Sequence, residues 1–234
     1  MRLKSLFTHV CTPDELDMID HYQTRTERLA DLWVHVTGLS LASVGGIVLA
    51  VLAAIYGGPG TVLATAVYAV CLIAMLATST IYNWTNPCAA RPVLRRMDEA
   101  AIFLMIAGSY TPFTTQRFEG MWAIGFTAAV WAIAFAGVAV KLVAPRISDA
   151  FWSGVYVLFG WLAVVALKPM LDTVHPIALG LLVLGGVIYT AGVIVFISPK
   201  VKYRRAIWHG FVVAAAAVHY TAVLTCFSMS PAGL

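Results

Sequence analysis

The stretch Ala77–Phe113, ATSTIYNWTNPCAARPVLRRMDEAAIFLMIAGSYTPF, holds the end of one apolar run, a basic segment and the start of another apolar run. Ser79, Asn83, Asp98 and Glu99 lie at its apolar boundaries. A carboxylate at the mouth of a membrane helix is costly unless it is paired, so Asp98 requires a partner. The last apolar run supplies candidates at its start, Arg205 and His209.

Working outward, hydrophobic residues make up 61% of the 234-residue chain and charged residues 11%. A soluble domain carries about 25% charged residues and could not bury so much apolar surface. The composition therefore predicts an all-α, polytopic membrane protein. Seven apolar runs approach or reach the length of a bilayer crossing, roughly 17–25 residues. They fall near His35–Tyr56, Val62–Trp84, Ala100–Phe113, Met121–Val143, Phe151–Leu171, Pro176–Ile197 and Ala206–Phe227, the third being short. Continuous runs favour helices over the alternating strands of a barrel.

The 15 Lys and Arg residues set the expected orientation. Most cluster before the first run, between the second and third, around the fourth connection and before the seventh. Arg117 and Lys168 alone fall near the opposite face. The positive-inside bias then places the N-terminus inside and the C-terminus outside. The net charge of +4 suits anionic inner-leaflet lipid rather than nucleic acid. Cys11, Cys71, Cys88 and Cys226 form no C-x-x-C pair and indicate no disulfide framework. No cleaved signal peptide is expected from MRLKSLFTHVCT.

The expected organisation is a cytoplasmic segment over 1–33, a seven-helix domain over 34–228 and a short external tail over 229–234. Thr12-Pro13-Asp14-Glu15 reads as a helix start, with a short interfacial helix to follow. Asp31 and His35 stand four apart on one face, as do Ser79 and Asn83, and Arg205 and His209. Chain direction places all six, with Asp98, at the same cytoplasmic depth. His219, ten residues beyond His209, reads as a hydrogen-bonded core residue, and Lys168 as an outward-reaching side chain with Asp172 one turn away.

Several motifs together identify a resemblance. Glu27–Gly38, Ser79-Thr-Ile-Tyr-Asn83, Leu94-Arg-Arg-Met-Asp98, Ala107-Gly-Ser-Tyr-Thr-Pro-Phe113, Gly160-Trp161 with Lys168-Pro169, and Ala206-Ile-Trp-His209 with His219-Tyr220 occur in order. The chain resembles the haemolysin III family, the bacterial branch of the progestin and adipoQ receptor superfamily. The resemblance implies a seven-helix fold in a bacterial inner membrane. It also implies a zinc site of three histidines and one aspartate near the cytoplasmic face. The family pattern is Ser-x-x-x-His, then Asp, then His-x-x-x-His, and it supports metal-activated hydrolysis of lipid amides.

Two of those histidines are replaced here. The first motif reads Ser79-x-x-x-Asn83 and the last Arg205-x-x-x-His209, leaving Asp98 and His209 as the surviving metal positions. Asn is a poor zinc ligand, and Arg keeps its proton and repels a cation. The expectation is a metal-free structural network of Asn83, Asp98, Arg205, His209 and His35, with Arg205 pairing Asp98. The opposing reading is zinc in a shifted arrangement using His35, His209, Asp98 and one of Asp31 or Glu99. If the chain is an enzyme, it is a metal-dependent lipid amidohydrolase with Ser79 and Asp98 in the catalytic site.

The function expected first is a divergent, zinc-lacking member acting in membrane-lipid sensing or stress response, with no cofactor. Its partners are membrane lipids and not nucleic acid, and a homo-oligomer is left open. A ceramidase-like hydrolase is the alternative. A pore-forming haemolysin is the third reading, and the helices offer few polar residues to line a wide pore. The last run has no Lys for a retinal Schiff base, and the chain has no P-loop.

Overall fold

A computed structural model of the chain describes residues 22–143 and 147–228, all of its regular structure there being helical. Helix α1 spans Arg25–Tyr56. Thr24 caps it by accepting from the Glu27 amide at 3.2 Å, while the Glu27 carboxylate accepts from the Gln23 amide at 2.9 Å. These bonds satisfy amides that a helix start leaves free. Helix α1 runs without a break through position 33, so Leu29, Leu32 and Trp33 belong to the first long helix, not to a separate interfacial one. The helix start at Thr12-Pro13 and the tail 229–234 lie outside the described residues, as does Cys11. Cys71, Cys88 and Cys226 are free and buried.

Helix α2 spans Pro59–Trp84, with Pro at its first position. Helix α3 spans Arg91–Gln116. The basic segment before Ala100, expected as a loop, is thus the first turns of α3. Pro92 sits in the opening turn, where its missing N–H costs nothing. Arg91 folds back to donate to the Thr85 carbonyl at 2.8 Å and covers the Tyr82 ring. Arg95 pairs with Glu99 one turn on, at 2.7 Å. The rest is a π-turn over Trp122–Phe126 leading into α4 (Thr127–Val143), then α5 (Asp149–Gly160). A 3₁₀ segment over Trp161–Ala166 joins α5 to α6 (Leu167–Thr173), followed by α7 (Pro176–Phe196) and α8 (Arg204–Ser228).

Among the described residues, six helical stretches are long and apolar enough to cross a membrane: Arg25–Tyr56, Pro59–Trp84, Trp122–Val143, Asp149–Thr173, Pro176–Phe196 and Arg204–Phe227. Helix α3 is not in that set. Its place in the packing explains its composition. One buried cluster gathers Leu49, Tyr68, Leu72, Met75, Met105, Phe113 and Val223. The other gathers Phe103, Tyr110, Phe126, Val130, Trp152 and Met170. Helix α3 contributes to both, so protein rather than lipid surrounds much of it. Ile47, Val51, Ile55, Leu158 and Ile194 face outward, as a lipid-facing surface requires.

The 3₁₀ break would leave backbone groups unpaired. Tyr110 repairs it, its hydroxyl donating to the Gly160 carbonyl at 2.7 Å and accepting from the Ala163 amide at 2.8 Å. At the far end of that rod Lys168 reaches Asp172 at 3.1 Å, both well exposed.

Helices α1 and α8 close on one another through Gly38, where a methyl group would lie 2.6 Å from Val213 Cγ2. Gly38→Ala is therefore expected to push the two helices apart and cost roughly 1–3 kcal/mol. Thermal unfolding in detergent checks this, and an unchanged midpoint would show that the approach has slack.

Candidate functional site

Four helices meet at one end of the bundle. Helix α1 buries Asp31, His35, Gly38 and Ala42 as a single stripe at helical spacing. Helix α2 ends there with Ser79, Thr80 and Asn83 buried. Helix α3 brings Asp98, and α8 brings Arg205 and His209. Asp31 is wholly buried, and His35 and His209 nearly so.

The centre of the site is Asp31. One carboxylate oxygen lies 2.6 Å from His209 Nδ1 and accepts its proton. The other accepts from the Tyr22 hydroxyl and stands 3.4 Å from His35 Nε2. The two imidazoles lie side by side, ring centroids 4.2 Å apart and tilted by 51°. Burial, followed by the neighbouring Asp31 charge, pushes the Tyr22 phenol well above the usual tyrosine range, so it remains a donor.

His35 has a polar neighbour at each ring nitrogen. Thr80 donates its hydroxyl proton to the Leu76 carbonyl at 2.6 Å, and its oxygen lies 3.4 Å from His35 Nδ1. His35 Nε2 is buried, 3.4 Å from an Asp31 carboxylate oxygen, beyond normal hydrogen-bond length.

Asp98 occupies a neighbouring position. It lies near Ser79, with His35 and Arg205 as neighbouring groups. Asn83 donates to the Ser79 carbonyl at 2.9 Å and approaches its hydroxyl at 3.4 Å, leaving Asn83 Oδ1 buried without a donor. Among the described residues no ion pair joins Arg205 to Asp98, and Arg205 Nε is buried with no partner. Glu99 turns the other way, to Arg95 at 2.7 Å and to Lys141. His219 Nε2 donates to the Leu182 carbonyl, 3.1 Å away, as a core histidine.

The expected residues thus divide in two. His35 and His209 come together with Asp31, and Ser79 and Asn83 form an adjoining hydrogen-bonded pair with Asp98 nearby. The carboxylate that captures His209 is Asp31 rather than Asp98. The four positions where the resemblance expects zinc ligands do not fit the ion as a set: Asn83 is a poor ligand whose Nδ2 is spent on Ser79, and Arg205 is a fixed cation. Tyr22 and Thr80 were not anticipated. Nothing marks Tyr22 in the sequence, whereas Thr80 could have been suspected from its place beside Ser79 on the face that meets α1. A small cleft lined by Tyr22, Arg28, Asp31, His35, Thr80 and Asn83 opens onto this group.

Comparison with known proteins agrees with this architecture. The chain is 30% identical to the hemolysin-3 homolog of Bacillus subtilis over 203 residues, covering 86% of this chain and 94% of that protein. It is 30% identical to hemolysin-3 of Bacillus cereus over 198 residues, 85% of this chain and 90% of the relative. Human monocyte to macrophage differentiation factor is 28% identical over 174 residues, 70% of this chain and 71% of its own. No solved structure matches the chain significantly. The family model described as haemolysin-III related matches residues 22–220, and with it the chain belongs to the haemolysin III-related family of membrane proteins.

Proposed function

We propose that this chain is a seven-crossing inner-membrane protein, N-terminus inside, that senses anionic membrane lipid without hydrolysing it. The 26 residues of α3 extend for about 39 Å and can serve as the seventh crossing within a shell of protein. Arg28, Arg91, Arg95, Arg96, Lys200, Lys202, Arg204 and Arg205 collect at one end, which supports the stated orientation.

The observation that carries the reading is Arg205. It is a half-buried cation with no ion-pair partner among the described residues, at a position where the resemblance expects an imidazole. A basic rim around a guanidinium with no ion-pair partner among the described residues suits a phosphate headgroup. Purified protein in mixed micelles is expected to melt at a higher temperature with phosphatidylglycerol than with phosphatidylcholine. Arg205→Gln should remove most of that difference. Ceramide incubated with the protein should release no fatty acid. Release that His209→Ala abolishes would replace this reading with the hydrolytic one, which the convergence of Asp31, His35 and His209 favours.

A further inference from the structure

We propose that Asp31, His35 and His209 form a binding site for a divalent transition metal, zinc being the best match. The site joins α1 to α8 and uses only one of the four positions at which the resemblance expects ligands. It does not depend on the lipid-sensing reading.

Two observations carry it. Among the described residues these three are the one group of histidine, cysteine and carboxylate side chains whose ligand atoms converge, all within 4.8 Å of one another and all buried. Independently, the buried His35 Nε2 stands 3.4 Å from Asp31 Oδ2 without a hydrogen bond of normal length to it. A cation in that gap takes both atoms as ligands. Bonds of 2.0–2.2 Å to a tetrahedral ion separate neighbouring ligand atoms by about 3.3 Å. The His35–Asp31 spacing already matches. His209 Nδ1, 2.6 Å from the other carboxylate oxygen, Oδ1, must lose its proton and shift to complete the set.

Two imidazoles with one carboxylate select borderline ions such as Zn(II), Fe(II) or Co(II) over Ca(II) and Mg(II). Thr80 offers His35 Nδ1 an oxygen at 3.4 Å, an outer contact common behind metal-bound histidines. Three protein ligands leave a further coordination position for water or a headgroup oxygen. Arg205 opposes the ion electrostatically, while Asp31 and the nearby Asp98 offset it.

The test is Co(II) titration of chelator-stripped full-length protein in detergent, followed by visible ligand-field bands, thermal unfolding and metal analysis. One Co(II) per chain is expected, displaced by Zn(II), with a higher unfolding midpoint. Proton spectra of the Co(II) form should show two paramagnetically shifted, exchangeable ring N–H signals, one from each histidine. His35→Gln should weaken binding about 100-fold, Arg205→Gln should tighten it about tenfold, and Asp98→Asn should leave the stoichiometry at one. The proposal is overturned by the absence of saturable Co(II) bands in the wild type, by fewer than two ring N–H signals, by unchanged binding in His35→Gln, or by loss of the site in Asp98→Asn. The wild-type spectra decide the matter even if a variant fails to fold.

Discussion

Asp31→Ala is expected to destabilise the protein by about 3–5 kcal/mol, the usual cost of removing one partner from a buried ionic group. The carboxylate has no exposure and holds two groups from other parts of the chain, His209 Nδ1 at 2.6 Å and the Tyr22 hydroxyl, with His35 of its own helix 3.4 Å away. Alanine takes the acceptor from the buried His209 N–H, removes that of the Tyr22 hydroxyl bond, and opens a void between α1 and α8. Asp31→Asn keeps an oxygen for one of the two donors and should cost less than half as much. Asp98→Ala should also cost less, because Asp98 is only half-buried whereas Asp31 has no exposure. Unfolding midpoints in detergent rank the three variants. An Asp31→Ala protein that melts with the wild type would mean the carboxylate is already solvated or neutral.

The second large effect is expected at Glu99. Its two oxygens hold Arg95 at 2.7 Å and Lys141, and Arg95 also contacts Asp149. Lys141 is buried, 4.2 Å from the centroid of the Trp152 ring. These groups tie α3, α4 and α5 together at the same end of the bundle as Asp31. Glu99→Ala strands the Lys141 ammonium and should cost about 3 kcal/mol. Lys141→Met alone should cost less, since Arg95 still neutralises Glu99. The double variant should recover most of the Glu99→Ala loss, because the stranded charge is gone and the methionine packs on Trp152. Simple additivity of the two single effects would show that the pair is not coupled.

How far the site was legible depended on the kind of information each residue carried. Asp31-x-x-x-His35, Ser79-x-x-x-Asn83 and Arg205-x-x-x-His209 are local spacings, and helical periodicity alone assigns each pair to one face at one depth. Which faces meet is not local. Placing Asp98 as the partner of the α8 cation was reasonable from depth, yet His209 turns to Asp31 because Gly38 lets α1 lie against α8. Glu99 likewise pairs across helices with Lys141, a residue otherwise indistinguishable from a lipid-headgroup lysine.

The sequence by itself determined that this is a helical membrane protein, where most of its helices lie, and which polar residues share a depth. Those properties follow from hydropathy summed along the chain and from the fixed 3.6-residue repeat. Only the tertiary structure decided that α3 begins at Arg91, that Tyr22 and Thr80 belong to the site, and that the two histidines gather on Asp31. Side-chain partnership depends on helix rotation and close approach, which small residues such as Gly38 control and which no single segment encodes.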